Sequence, residues 1–328
     1  MATDMATNSA AQRDRAISSP PALNRDSDTY VYPAFDTLVD LWFMRISGSG
    51  LGNCFYTYFH AVVLAEQYGA RLIAPPWFSV KFGPMLRREK SKRFYFRMFK
   101  PYSTDVSGIR KLWILLSKFR RQRTEIDEAH PRHLVPGRLN IVSSGKWTFA
   151  GLHPHRELIR QRMLAILNDP VPPGHRWGAG HHVGIHVRLG DFTKVDTHQG
   201  VLSAGHSTRL PITWYVTVAR ALQQRFPELP LLIFSDGRPE ELQPLLDLGG
   251  RIFNSGSDIT DFLALAGSSI LVGSNSTFSR WAAFLGNMPS IWLQGIRIDK
   301  EVFGDRTTDP EVPLLRVPID ATEVALWS

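Results

Sequence analysis

The regular alternation of short apolar runs and helical patterns after residue 182 constrains the fold of this chain most strongly. The apolar runs are typical of buried strands, and the segments between them repeat apolar residues at helical spacing. Strands are predicted at 183–187, 231–234, 251–253, 270–272 and 290–293. Helices are predicted at 211–226, 239–248, 259–266 and 278–285. This alternation predicts an α/β fold with a parallel, doubly wound sheet, whose ligands bind beyond the carboxyl ends of its strands.

The first half of the chain contains similar segments at wider intervals. A strand is predicted at 43–47, followed by a glycine-rich turn, a helix over 55–68 and a strand at 72–74. A further strand at 139–143 and a helix at 155–167 follow. These segments predict one strand–turn–helix–strand unit and a later strand–helix pair.

Changes in composition predict how the chain is divided. Residues 1–38 are rich in Ala, Ser, Asp, Arg and Pro without an apolar period, which predicts a disordered N-terminal segment. A Pro- and Gly-rich stretch at 170–174 predicts a linker. The predicted domains are therefore 39–174 and 175–328, and a length of 328 residues suits about two domains.

The sequence contains no run of about 18 apolar residues and no apolar signal core in its first residues. We therefore expect a cytoplasmic protein. The single cysteine, Cys54, cannot form an internal disulfide and suits a reducing compartment. Because Cys54 follows a glycine-rich turn, a catalytic thiol is an alternative to the more common small buried residue.

Positive charge is concentrated in residues 81–123, which contain 14 Lys and Arg residues against two acidic residues, whereas the whole chain has a net charge of +8. Aromatic residues are interleaved with the basic ones, and 112–119 has helical character. We interpret this stretch as a basic insertion that docks on an anionic membrane surface or an acidic glycan. A solvated insertion is the alternative. A cytoplasmic protein that attaches peripherally to the membrane is then expected.

A strand delivers His186 and Arg188 to the same face, and Gly190 and Asp191 follow in a turn. An arginine at a strand end can bind a diphosphate through two parallel charged hydrogen bonds. Alternatively, Arg188 pairs with Asp191 and braces the loop.

Hydroxyl side chains also precede a predicted helix, where Ser274, Ser276 and Thr277 follow a strand. Free backbone amides and the helix dipole make such a place an anion site. Simple helix capping is the alternative.

The glycine-rich turn at 48–53 ends with Gly52 and Asn53 before the first long helix. Glycines allow a backbone to approach a ligand closely. The turn matches neither the phosphate-binding loop of nucleotide triphosphatases nor the dinucleotide-binding pattern, so it is a weak signal when taken alone.

Taken in order, these segments resemble the α-1,2-fucosyltransferases of glycosyltransferase family 11. The residues that carry the resemblance are Gly-Leu-Gly-Asn at 50–53, His-Val-Arg-x-Gly-Asp at 186–191 and Ser-Asn-Ser-Thr-Phe-Ser-x-Trp-Ala-Ala at 274–283. Phe-Ser-Asp at 234–236 and Asp-Phe at 261–262 fit as well. The resemblance covers about 43–293 and is thin across 75–180.

The resemblance implies a GT-B-like fold, in which two Rossmann-like domains face each other across a cleft. It also implies GDP-fucose as the donor, a glycan acceptor, inversion at the sugar carbon and no metal or other cofactor. The sequence contains no Asp-x-Asp triplet that would carry a divalent ion.

The resemblance assigns roles to individual residues. Arg188 would bind the diphosphate and stabilise the leaving group, His186 would line the nucleotide, and Asp261 would accept hydrogen bonds from the guanine edge. Phosphate oxygens would be held by Ser274, Ser276 and Thr277. The donor would be approached from the opposite domain by Gly52 and Asn53.

Inversion requires a base that takes the proton of the acceptor. The candidate bases are Asp191, Asp196, His198 and His206. We select Asp191 as the catalytic residue. Asp191 as a loop brace is an equally good interpretation.

The sequence departs from the family pattern at three positions, where Leu189, Cys54 and Arg280 replace the usual Arg, Gln and Trp. These departures leave two alternatives open, a catalytically silent nucleotide-binding or scaffold relative and a transferase for another nucleotide sugar. The basic charge also raises the alternative of a nucleic-acid-binding protein. No helix-turn-helix, zinc-finger or RNP signature occurs, so no nucleic-acid partner is expected.

Overall fold

The computed structural model describes residues 28–80, 94–118, 123–126, 133–143, 148–149, 151–171, 174–190, 192–194, 200, 208–293 and 322–325. Two larger sheets and one small sheet form the framework of these residues. Within them, no helix is both long enough and apolar enough to cross a membrane. The α/β fold class predicted from the sequence is confirmed.

The N-terminal sheet consists of four parallel strands in the spatial order β4-β1-β7-β6. Its strands are β1 (Tyr30–Ala34), β4 (Arg71–Leu72), β6 (Arg123–Ile126) and β7 (Leu139–Ser143). Sequence analysis predicted β7 with its observed bounds, and it did not predict β6. Helix α1 (Leu51–Gln67) joins this sheet to the glycine-rich turn.

The prediction that residues 1–38 are disordered was wrong for 28–38. Strand β1 lies between β4 and β7 in the middle of its sheet, and Tyr30, Val31 and Tyr32 are buried. A central strand covered on both faces is apolar throughout, and here that run is only three residues long before Pro33. Residues 1–27 of that segment lie outside the described residues.

The two faces of the N-terminal sheet are covered by different helices. Val31 of β1 packs in the core that contains α1. Tyr30 and Tyr32 point to the other face, where they pack in a second core with residues of α2 (Gly108–Lys118). Alternation along β1 thus places one helix on each face, as in other parallel α/β sheets. Helix α2 overlaps the helical segment predicted at 112–119.

The C-terminal sheet has the order β10-β9-β8-β11-β12-β13, in which only β13 is antiparallel to its neighbour. Its strands are β8 (Val183–Val187), β9 (Leu231–Ser235), β10 (Arg251–Ile252), β11 (Ile270–Val272), β12 (Ser290–Leu293) and β13 (Thr322–Ala325). The five predicted strands are confirmed to within one residue at either end, and β13 was not predicted.

The helices of the second half also match the prediction. After α3 (Arg156–Ala165), the chain forms α4 (Ile212–Arg225), α5 (Pro239–Leu246), α6 (Asp258–Ala266) and α7 (Thr277–Gly286). Each lies within two residues of its predicted bounds, because apolar periodicity identifies helices of this length well.

A small sheet of three short strands stands beside the N-terminal sheet. Its strands are β2 (Val39–Asp40), β3 (Arg45–Ile46) and β5 (Ser79–Val80), in the order β2-β3-β5. The strand predicted at 43–47 is confirmed in its two central residues only. Pairs of residues are too short to show period-two alternation, which is why β2 and β5 were not predicted.

Aromatic packing joins the two halves of the molecule. Helix α7 packs against α1 and α3, and the ring of Trp281 lies 5.7 Å from that of Phe55 and 4.8 Å from that of Phe149. The indole Nε1 of Trp281 donates a hydrogen bond of 2.7 Å to the carbonyl of Gly52. One continuous apolar core therefore extends through both halves.

Candidate functional site

The candidate site lies at the carboxyl ends of two neighbouring strands. β8 and β11 pair in parallel, with Ile185 opposite Val272. Residues 186–190 continue from β8, and residues 273–277 run from β11 into α7. The fold therefore brings together two of the three segments that the sequence analysis identified, at the edge where parallel sheets bind ligands.

A buried hydrogen-bond network connects these segments. The imidazole Nδ1 of His186 lies 2.5 Å from the hydroxyl of Ser279 and 2.8 Å from that of Ser274. The Ser279 hydroxyl also accepts the backbone N–H of Ser274 at 3.1 Å. The ring of Phe278 stacks on His186 at 5.2 Å. Together these contacts fix the loop between β11 and α7 to the end of β8.

His186 is neutral in this environment. Burial, and secondly the nearby Arg188, lower the pKa of the His186 imidazole from 6.5 to about 3, against an opposing contribution from Asp236. A neutral imidazole can accept a hydroxyl proton at Nδ1. In this structure His186 fixes the loop through these hydrogen bonds, and its role in lining the nucleotide stays a prediction.

Ser274 differs from its predicted role. Its side chain is 1% exposed and its hydroxyl is engaged with His186 and Ser279. In this structure the Ser274 hydroxyl stabilises the loop, and its contact with a phosphate stays a prediction.

Arg188 forms an ion pair with the carboxylate of Asp236. Asp236 also accepts the backbone N–H of Leu189 at 2.8 Å through its other oxygen. The alternative pairing of Arg188 with Asp191 falls outside the described residues, because Asp191 is not among them. Arg188 remains partly exposed, and its guanidinium lies over the ring of Phe192 at 5.1 Å.

The start of α7 carries the geometry of an anion site. Ser276 is the N-cap, and its hydroxyl accepts the N–H of Phe278 at 3.2 Å. Thr277 is half-buried at the first helical position, and the amides of a first helical turn have no acceptor inside the helix. The first turn contains no acidic side chain, so its positive end is not neutralised locally. Capping by Ser276 and anion binding are therefore compatible.

The glycine-rich turn reaches the same place from the other half. A Cβ atom on Gly52 would lie 2.5 Å from the hydroxyl oxygen of Thr277, so the first turns of α1 and α7 are in direct contact. Gly52 is buried in this contact, and the neighbouring Asn53 is exposed. Helix α1 also lacks a side-chain cap and an acidic residue in its first turn. Two helix N-termini whose first turns contain no acidic side chain thus meet at this point.

A buried cation adds to this positive field. Arg45 is fully buried, and its guanidinium has no hydrogen-bonding partner among the described residues. It lies 5.1 Å from the ring of Phe35 and 5.9 Å from that of Tyr95. The hydroxyl of Tyr95 accepts the N–H of Leu51, the first residue of α1, at 3.1 Å. Arg45 therefore places a charge behind the N-terminus of α1, and no pattern in the sequence could have identified it.

Asp261 lies in the first turn of α6, where one of its carboxylate oxygens is engaged. That oxygen accepts the N–H and the hydroxyl of Ser255 at 2.8 Å and 2.6 Å. Within the described residues, the second oxygen has no partner. The structure thus holds Asp261 in a fixed orientation with one acceptor available.

All four candidate bases, Asp191, Asp196, His198 and His206, lie outside the described residues. Cys54 is 1% exposed within the apolar core, which supports the interpretation as a small buried residue over a catalytic thiol. Among the described residues, no group of three His, Cys, Asp or Glu side chains is placed to hold a metal ion.

Two positions were missed by the sequence analysis. One is Asp236, which had only been noted as fitting the family pattern. The other is Arg209, whose guanidinium donates to the carbonyls of Phe192 and Gly190 at 2.9 Å and 3.4 Å and pairs with Glu241 at 3.2 Å. Arg209 thereby braces the loop that follows β8. It lies about 20 residues from that loop in sequence, so no local spacing could have identified it.

No protein-family model matches this chain, and no curated protein matches it significantly. Solved structures with a similar course of the chain include "NodZ alpha-1,6-fucosyltransferase soaked with GDP-fucose", with a TM-score of 0.44 and 14% identity over 81% of this chain and 94% of that chain. The same enzyme co-crystallized with GDP has a TM-score of 0.44 and 12% identity over 81% of this chain and 95% of that chain. Fucosyltransferase NodZ from Bradyrhizobium has a TM-score of 0.41 and 13% identity over 80% and 94%.

The contact between α1 and α7 predicts that two neighbouring substitutions destabilise the fold to different extents. Gly52→Ala forces the added methyl group against Thr277, and we expect it to lower the free energy of unfolding by about 1–3 kcal/mol. Gly50→Ala is the matched control, since its Cβ would meet nothing within 4 Å. It should cost less than about 1 kcal/mol. Urea denaturation measures both, and equal losses for the two variants would contradict the close contact.

The depressed pKa of His186 predicts a pH-dependent stability. Below pH 6.5 the unfolded chain binds a proton at His186 that the folded protein, with a pKa of about 3, does not bind. Stability is therefore lost as pH falls from about 6.5 towards 3. Between pH 7 and pH 5, wild-type protein should lose about 2 kcal/mol more than His186→Asn, in which the amide oxygen replaces Nδ1 as acceptor. Urea titrations at both pH values measure the free energy of unfolding. Equal losses for wild type and His186→Asn would refute this assignment.

Proposed function

We propose that this protein is a glycosyltransferase that transfers fucose from GDP-fucose to a glycan hydroxyl. The observation that carries the proposal is the meeting of two helix N-termini at the carboxyl edge of the second parallel sheet, the edge at which Arg188 follows β8. Such a place favours a ligand with several negative charges. The three family motifs, which lie around it, supply the identity of the donor.

The chemistry of the proposed reaction requires this positive field. Departure of GDP places negative charge on the diphosphate, and donors fixed in advance stabilise that charge without reorganisation. The amides at the start of α7 and the guanidinium of Arg188 would be those donors. A diphosphate would replace or share Asp236 as the partner of Arg188, while Asp236 keeps its bond to the Leu189 amide.

Recognition of the base would fall to Asp261. A carboxylate accepts two hydrogen bonds from the Watson–Crick edge of guanine, which offers adjacent N–H donors. One oxygen of Asp261 is already fixed by Ser255, which orients the carboxylate, and the other is available. Ser276 and Thr277 would contact the phosphates, with Gly52 and Asn53 on the opposite side.

The acceptor step needs a base, for which Asp191 stays our prediction. We further propose that transfer is inverting and independent of metal ions, since arginine and helix amides would carry the charge of the leaving group. The motifs support an α-1,2 linkage, whereas the similar solved structure is that of an α-1,6-fucosyltransferase. Product analysis with a defined acceptor distinguishes the two.

A catalytically silent nucleotide-binding or scaffold relative is the main alternative. The ion pair of Arg188 with Asp236 favours it in one respect, because a brace of the loop would require the same contact. Slow hydrolysis of GDP-fucose would support the transferase. Binding of the nucleotide without any hydrolysis would support the silent relative.

A panel of nucleotides tests the donor. In buffer that contains excess EDTA, GDP and GDP-fucose should raise the melting temperature through preferential binding to the folded state, and UDP-sugars should not. At a ligand concentration about 100 times Kd, the stabilisation corresponds to roughly 2.7 kcal/mol. Stabilisation by UDP-sugars alone, or only after manganese is restored, would replace this proposal with another class of transferase.

Substitution of Arg188 tests the diphosphate contact. Arg188→Lys keeps the charge and loses the planar fork, so we expect transfer to slow at least about 100-fold, or roughly 3 kcal/mol of transition-state stabilisation. Asp236→Asn is the control, since it removes the counter-charge and leaves the guanidinium in place. Normal turnover in Arg188→Ala would exclude the role.

A further inference from the structure

Helix α2 exposes an apolar side, whereas a polar side is expected to face the solvent. Its protein-facing side contains Lys111 together with Ile114 and Leu115, all of which are buried. Its outer side carries Ile109 and Trp113, which are 86% and 67% exposed. A surface helix ordinarily directs its apolar stripe to the core and its charges to water.

The outer apolar residues form one stripe along α2. Ile109, Trp113 and Leu116 are separated by four and three positions, which places their side chains on one face of a helix. Leu116 is 67% exposed, and Leu112 at the flank is also exposed. An exposed stripe of this kind, unlike a single apolar residue, marks an interaction surface.

A second exposed apolar group adjoins the start of α2. The ammonium of Lys111 donates to the carbonyls of Trp42 and Ala74, which fastens α2 to the turn between β2 and β3. Leu38, which precedes β2, and Phe43, which lies in this turn, are 80% and 67% exposed. We call this group and the α2 stripe together the apolar dock, consisting of Leu38, Phe43, Ile109, Leu112, Trp113 and Leu116.

The exposed charges of α2 and of the segment before it have one sign, whereas Leu38 and Phe43 have Asp36 and Asp40 beside them in sequence. Within the described residues 94–118, the exposed charged side chains are Arg97, Lys100 and Arg110, all of them basic. The acid of this stretch, Asp105, is engaged in a buried ion pair with Arg162. Apolar side chains with a surrounding of cations are complementary to the surface of an anionic bilayer, where hydrocarbon lies beneath negative headgroups.

We propose that the apolar dock attaches the protein to the surface of an anionic lipid bilayer, with α2 lying in the plane of the interface. Trp113 takes the level that indole rings favour at membrane surfaces. Ile109, Leu116 and Phe43 enter the boundary of the hydrocarbon. Lys111 cannot contact lipid, because its ammonium is held inside the protein.

Two other occupants fit the observations less well. A second copy of the chain would bring Arg97, Lys100 and Arg110 against the same cations, and like charges repel at an interface. A nucleic acid would satisfy the cations, but its phosphates offer no partner for Ile109 and Leu116. A bilayer satisfies both kinds of group.

Sedimentation of the full chain with vesicles tests the proposal, and needs no nucleotide, so its outcome is independent of the donor test. With about 30 mol% phosphatidylglycerol, binding should exceed that to neutral phosphatidylcholine at least about 10-fold and weaken as salt rises. The variant Trp113→Ser/Leu116→Ser keeps the charge and should bind at least about 10-fold more weakly.

Ile252→Ser is the matched control, because Ile252 is an exposed apolar residue of β10 in the other sheet. It should bind vesicles within about twofold of wild type. Unchanged melting temperatures establish that the variants fold.

The proposal is overturned if wild type stays in the supernatant with anionic vesicles, or if the double variant binds as wild type does. A dimer that the double variant dissociates in sedimentation velocity would assign the dock to a second copy. Displacement of the protein from vesicles by duplex DNA at equal phosphate would assign it to nucleic acid.

Discussion

The contact between the first turns of α1 and α7 determines how the two halves of this molecule can be arranged. Gly52 leaves no space for a side chain against Thr277, and the indole of Trp281 holds the carbonyl of the same glycine. Both helices consequently begin at one point, although their sequences are more than 200 residues apart. The geometry of the candidate site depends on that meeting, since each helix contributes the positive end of its dipole.

A positive field of this strength has to be maintained without the counter-charges that would cancel it. Burial keeps His186 neutral, so it fixes the loop before α7 through Ser274 and Ser279 without adding charge. Arg188 is paired with Asp236. The guanidinium of Arg45 is buried without a hydrogen-bonding partner among the described residues, an arrangement that costs stability and is expected where function requires it.

The sequence predicted those parts of the molecule in which local pattern and tertiary structure agree. Strands such as β9 and β11 are largely apolar runs, and α4 to α7 repeat every 3.6 residues, so their bounds followed from pattern and periodicity. β1 could not be predicted because three residues show no period. The contacts of Ser274 with His186 and Ser279 could not be predicted, because composition reveals a hydroxyl at a helix start but not which neighbour it binds. Asp236 and Arg209 act through contacts from other segments, which a single sequence does not show.

Helix α2 illustrates a further limit of periodicity. Its pattern predicts a helix with two distinct sides, but the period alone does not state which side faces the core. Lys111 determines which side of α2 faces the core, since its ammonium donates to the carbonyls of Trp42 and Ala74. Burial lowers the pKa of Lys111 to about 8. Once the lysine is inside, the helix geometry obliges Ile109, Trp113 and Leu116 to face outward. The polar contact that fastens the helix thereby creates the apolar surface that a partner must cover.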